Sequence, residues 1–149
     1  MKYITEIEIN VPLAVFIRKF DDPENMKFWQ KDLISFKSLS GIPGKEGAQM
    51  ELVYKMGKRE IVLIETILKR NLPHEFHATY DAKGVHNVQK NYFKAVDENK
   101  TKWISETEFQ FNGFFMKAMG FLMPGTFKKQ SLKYLKDFKA FAEESSTSS

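Results

Sequence analysis

The chain has 149 residues, no cysteine, 14 Phe, 7 Met and a formal charge of +4, from 23 Lys+Arg against 19 Asp+Glu. That length suits one domain with a sizeable core, and the absence of thiols excludes disulfides, Cys-containing zinc sites, iron–sulfur clusters and a cysteine nucleophile. The guanidinium groups are only Arg18, Arg59 and Arg70, far apart in sequence, so the basic balance lacks the Arg-rich, aromatic-interleaved pattern of a nucleic-acid binder.

Tyr3, Thr5, Ile7 and Ile9 alternate with Ile4, Glu6, Glu8 and Asn10, which predicts a half-buried strand over about 2–10. Glu6 and Glu8 also interrupt the apolar stretch that a secretory leader needs. The longest charge-free apolar run, 118–127, is shorter than the roughly 20 residues of a membrane span. Cytoplasmic localisation is the expectation. Pro12 suits a first helical position, and Leu13, Phe16, Ile17 and Phe20 recur at helical spacing up to about Asp21. Asp22-Pro23-Glu24 restarts a helix, with Asp22 as N-cap and Met26 and Trp29 as apolar anchors.

From about Leu33 to Asn112 the pattern predicts six strands joined by short turns, hence an antiparallel meander. Gly41, Gly44 and Gly47 punctuate the second connection, which reads as a flexible hairpin loop beside a site entrance. It has neither a Walker sequence nor the helix of a dinucleotide fingerprint. Met50, Leu52, Tyr54 and Met56 share one face of the third strand. The fourth strand carries aliphatics on both faces, so its orientation is open. The seventh sets Trp103, Ser105, Thr107, Phe109 and Phe111 on one side. Helical periodicity returns from Gly113 to about Ala142, with Pro124-Gly125 expected to kink or split the helix and a Ser-rich tail, 143–149, expected to be disordered.

The order strand, two short helices, meander and long last helix is the helix-grip arrangement, an α+β fold in which a curved sheet of about seven strands wraps the final helix. Pro12, Phe16, Phe20, Asp22-Pro23-Glu24-Asn25, Trp29 and the Gly41, Gly44, Gly47 loop resemble the SRPBCC superfamily, which includes START lipid-transfer domains, birch pollen allergen-like proteins, polyketide cyclases and Hsp90-activator-like proteins. The resemblance spans residues 1–142 as a single domain. It implies an internal cavity for a hydrophobic small molecule or lipid, bound without covalent change and without a cofactor. Trp29, Met50, Leu52, Tyr54, Phe76, Tyr80, Trp103, Phe109, Phe111, Met119, Met123 and Phe127 are the candidate lining, aromatics and flexible methionines being able to adapt to varied apolar shapes. The same side chains would equally fill an ordinary packed core.

Two alternatives stand beside binding: a cyclase or isomerase with Glu65, His86 or a tyrosine as acid–base group, and a protein-interaction module. Glu65 interrupts an aliphatic run; turned inward it would be a buried carboxyl with a raised pKa, but an ion pair on the outer face is the favoured expectation. His86 is expected in a solvated turn, and odd spacing on a strand sends His74 and His77 to opposite faces, so no metal site is expected. Asn87, Gln89 and Asn91 would make a polar wall if they face inward. Phe114, Phe115, Phe121 and Leu122, with Lys117, Lys128 and Lys129, are a candidate transient contact with a membrane surface.

Overall fold

The computed structural model describes residues 1–114 and 124–146. The period-2 segments form seven strands: β1 (Lys2–Ile9), β2 (Leu33–Ser40), β3 (Gln49–Met56), β4 (Arg59–Asn71), β5 (Glu75–Ala82), β6 (Val85–Asp97) and β7 (Lys100–Phe111). They build one sheet in the order β1-β7-β6-β5-β4-β3-β2, antiparallel throughout. The helices are α1 (Leu13–Asp21), a 3-10 turn at Pro23–Asn25, α2 (Met26–Trp29) and α3 (Pro124–Ser146). Asp22 caps the 3-10 turn by accepting the Glu24 amide at 3.0 Å, and Pro23 occupies a position where no donor is needed. This is the helix-grip fold.

The tight turns at Gly57-Lys58 and Lys83-Gly84, the exit of β7 and the chain start lie at one end of the sheet, the Gly84 end. The β2–β3 loop, the β6–β7 turn and the start of α1 lie at the other, the Asn99 end. Helix α3 crosses the concave face between them. Near its start, the Tyr3 hydroxyl donates to the Phe127 carbonyl at 3.1 Å and shares a 2.7 Å hydrogen bond with Ser131. Near its finish, Glu143 accepts the Asn10 amide at 2.8 Å and Lys139 at 2.6 Å. These anchors hold the end of the helix, whose described part runs to Ser146; the rest of the Ser-rich tail lies outside the described residues.

A packed aromatic core fills the concave face toward the Asn99 end. Phe16 is fully buried, with ring centroids of Phe93 and Phe138 at 5.0 Å and Trp103 at 5.7 Å. Ile9, Val11, Trp29, Leu135 and Ala142 complete the cluster. Mixed tilted and edge-on pairs are the geometry that aromatic quadrupoles favour.

The glycine loop is pinned to β4, correcting the expectation of flexibility. Gly47 N–H donates to Ile67 O at 2.7 Å, and the Glu46 carboxylate accepts the Arg70 amide at 3.0 Å. Arg70 in turn holds Asp21 through two 2.6 Å contacts. Gly41 adopts φ 75°, and a Cβ there would lie 2.9 Å from the Ala48 Cα, so only glycine fits.

Candidate functional site

Directly paired residues on neighbouring strands project to the same face of a sheet. Across five strands the register aligns Met50, Glu65, Tyr80, Asn87 and Phe109 in one row. Phe109 lies 4.9 Å from the Phe127 ring of α3, so the whole row faces the concave interior. Glu65 therefore points inward, correcting the expected outer-face ion pair. Both faces of β4 are aliphatic, which conceals orientation, and the pairing with Met50 decides it.

Glu65 and Tyr80 are directly paired across β4 and β5, near enough for each to shift the other's titration. Desolvation raises the Glu65 carboxyl above the usual carboxylate range, and the Tyr80 contact offsets part of that rise. The Tyr80 hydroxyl is pushed well above 10, first by burial and then by the neighbouring Glu65 charge. It is thus a fixed proton donor. The Tyr54 hydroxyl, likewise raised by burial with Tyr134 and Glu65 nearby, donates to Gln30 Oε1. Tyr80 and Glu65 are both half-buried on the concave face.

The next row inward comprises Ile67, Ala78, Gln89, Thr107 and Tyr3. Gln89 donates to Asn87 Oδ1 at 2.9 Å, and Asn87 donates to the Glu108 carbonyl at 3.0 Å. The polar wall of Asn87, Gln89 and Asn91 thus faces the interior. Asn91 belongs to the following row, where it accepts the Trp103 indole N–H at 2.9 Å and anchors the aromatic core. The Thr5 hydroxyl in that row is buried without a hydrogen-bond partner among the described residues.

The concave face therefore has two halves. Toward the Asn99 end it is solid, and Trp29 (7 % exposed) and Trp103 (4 % exposed) belong there as core residues, with Phe76 against Phe20 at their edge. Toward the Gly84 end, Met50, Leu63, Glu65, Tyr80, Gln89, Phe109, Phe111 and Phe127 retain accessible surface around the polar row. Leu52 and Tyr54 are buried there. The structure brings Met50, Leu52, Tyr54, Tyr80, Phe109, Phe111 and Phe127 together, while Met119 and Met123 lie outside the described residues. His86 is on the convex face, its Nδ1 bonded to Asp81. Among the described residues no cluster of His, Asp and Glu could hold a metal ion, and no helix is long and apolar enough to cross a membrane. An open depression of about 440 Å³ lined by Asn10, Asp97, Glu98, Asn99 and Lys100 lies at the opposite end of β6, ten residues and roughly 30 Å from Asn87.

No family model matches the sequence, and no curated protein does. Solved structures match over nearly the whole chain. The aromatase/cyclase Zhui from Streptomyces sp. R1128 superposes with a TM-score of 0.78 at 10% identity, covering 96% of this chain and 93% of that one. Ara h 8.0201 gives 0.74 at 14%, covering 95% and 97%. Norcoclaurine synthase from Thalictrum flavum, in complex with a transition-state analogue, gives 0.71 at 11%, covering 98% and 96%. At such identities the likeness is one of fold, the helix-grip fold of SRPBCC and birch pollen allergen-like proteins.

Proposed function

We propose that this helix-grip protein binds a hydrophobic small molecule in the half of its interior toward the Gly84 end, and selects one bearing a hydroxyl or amine. The observation that carries this reading is the Glu65–Tyr80 pair, two polar side chains directly opposite each other on β4 and β5 and set among Met50, Leu63, Phe109, Phe111 and Phe127. A carboxyl has acceptor capacity beyond the single Tyr80 hydroxyl. An apolar body against the aromatics and a donor on Glu65 would satisfy both kinds of surface. The superposed folds include proteins whose names denote ligand chemistry, which supports the same reading. Titration with 1-naphthol and with naphthalene tests it. Wild type should prefer 1-naphthol by roughly tenfold, the worth of a hydrogen bond to a charged or strongly polar acceptor, and Glu65→Leu should abolish that preference. Equal affinities in wild type would sink the proposal.

A second reading rests on the same pair. A carboxyl poised by desolvation beside a fixed hydroxyl donor is suited to moving a proton next to a carbonyl: Glu65 takes the proton from carbon and Tyr80 hydrogen-bonds the oxygen that gains charge. Native mass spectrometry followed by organic extraction identifies a co-purifying ligand. Glu65-dependent deuterium exchange from heavy water into that ligand separates catalysis from binding.

A further inference from the structure

Unpaired positive charge collects at one end of this molecule. At the Gly84 end, Lys55, Lys58 and Arg59 occupy the β3–β4 hairpin, Lys83 the β5–β6 turn, and Lys128 and Lys129 the first turns of α3. All six are exposed, and among the described residues none is in an ion pair. The carboxylates at this end are fewer: Asp32 and Glu60, with Asp81 already bonded to His86 and Glu108 paired with Lys2. At the opposite end Asp22, Glu24, Asp97 and Glu98 stand among the cations Lys45, Lys94 and Lys100, so charge there is mixed. The excess of positive charge is therefore concentrated toward the Gly84 end. Two apolar side chains stand out from the basic end, Phe114 at 91 % exposure and Met56 at 40 %.

Cations surrounding a protruding aromatic ring suit an anionic lipid surface, where lysines meet headgroups while the ring enters the interface. We propose that the Gly84 end docks on anionic bilayers through the two hairpin tips, the start of α3 and Phe114. The partner is a lipid surface rather than a nucleic acid because the cations are mostly Lys, compact point charges without the planar fork that Arg offers to phosphates and bases. Docking would bring the accessible half of the interior next to the bilayer, where a hydrophobic ligand resides. The docking claim itself needs no ligand.

The test is sedimentation of the full chain with phosphatidylcholine vesicles, with and without phosphatidylserine. Wild type should bind the serine-containing vesicles preferentially and lose binding in high salt, since exposed charges are screened. Each Lys near an anionic surface contributes about fivefold in partitioning. Lys58→Glu with Arg59→Glu should therefore weaken binding by well over tenfold, as should the pair Lys128→Glu and Lys129→Glu. Phe114→Ala should weaken it several-fold, and Lys94→Glu, on the other half of β6, should leave it within twofold. Circular dichroism confirms folding of each variant; if one pair misfolds, the other decides. Equal binding to both vesicle types, no response to either charge reversal, or salt-sensitive binding to a single-stranded oligonucleotide in place of vesicles would overturn the proposal. The naphthol titration can fail without affecting this result, and the reverse.

Discussion

Glu65 shows how much one side chain's orientation decides. Its inward direction is legible from the sequence by a route that face-by-face alternation misses: a two-residue turn at Gly57-Lys58 pairs Met56 with Arg59, and counting back along that hairpin puts Glu65 opposite Met50. What the sequence does not contain is the second partner, because the pairing with Tyr80 depends on a β4–β5 register broken by an irregularity between Ile67 and Lys69. The raised carboxyl has a thermodynamic sign. A folded-state pKa above the unfolded value gives stability that is complete below the unfolded pKa and is lost as pH rises through the folded one. Glu65→Gln keeps an acceptor for Tyr80 without the charge. It should match wild type in thermal melts at about pH 4 and exceed it by a few degrees near pH 7. A variant less stable at both pH values would contradict this. Phe138→Ala, in the fully packed half, should cost about 3–5 kcal/mol in urea unfolding.

At the scale of elements, strand positions were close to readable because turn glycines and alternation agree, and each strand end falls within a few residues of its expected place. Two elements differ for physical reasons. The last turn of α3 is held by the local Lys139–Glu143 pair at i, i+4 and by the Asn10 amide, a partner remote in sequence. The glycine loop is ordered both by its own turn hydrogen bonds, Lys45 N–H to Ile42 O and Ala48 N–H to Lys45 O, and by its contacts with β4. Gly41→Ala should cost about 1–2 kcal/mol from the left-handed backbone alone, more if Ala48 cannot yield, measurable as a lower urea midpoint with an unchanged slope. At the start of β5, the Glu75 carboxylate lies 2.7 Å from His77 and 3.0 Å from Lys69. These partners, His77 foremost, pull its pKa down to about 2. A depressed carboxylate gives stability that is present above the unfolded value and lost as pH falls through the folded one. Glu75→Gln should therefore flatten the loss of stability between about pH 4.5 and pH 2; an unchanged acid limb would argue that the contact is energetically idle.

Across the whole molecule, the helix-grip fold could be anticipated from the order of elements, but the division of the concave face could not. The same residue types, Phe, Trp, Tyr and Met, fill both halves. Which half is solid depends on where α1 and α2 press Phe16, Phe20 and Trp29 against Phe93, Trp103 and Phe138, contacts between segments more than a hundred residues apart. Trp29 and Trp103 were candidates for ligand contact from their type; the structure seats them among core rings because long-range packing, not composition, sets their surroundings. Amide hydrogen exchange should report the asymmetry: slowest around Phe93 and Trp103, faster in β2 and at the β3–β4 tip, with bound naphthol slowing exchange in β4 and β5 near Glu65 and Tyr80. Uniform protection across the sheet would argue against a two-part interior.

That division also bears on how such a chain can diverge. Residues that hold the fold together and residues that would meet a ligand share the same strands yet lie several positions apart on each, Phe93 against Asn87 in β6 and Trp103 against Phe109 in β7. Substitutions of half-buried residues toward the Gly84 end would therefore disturb the packed aromatic core less than those toward the Asn99 end, so that a change in what the interior accepts would be separable, within one strand, from a change in what holds the fold.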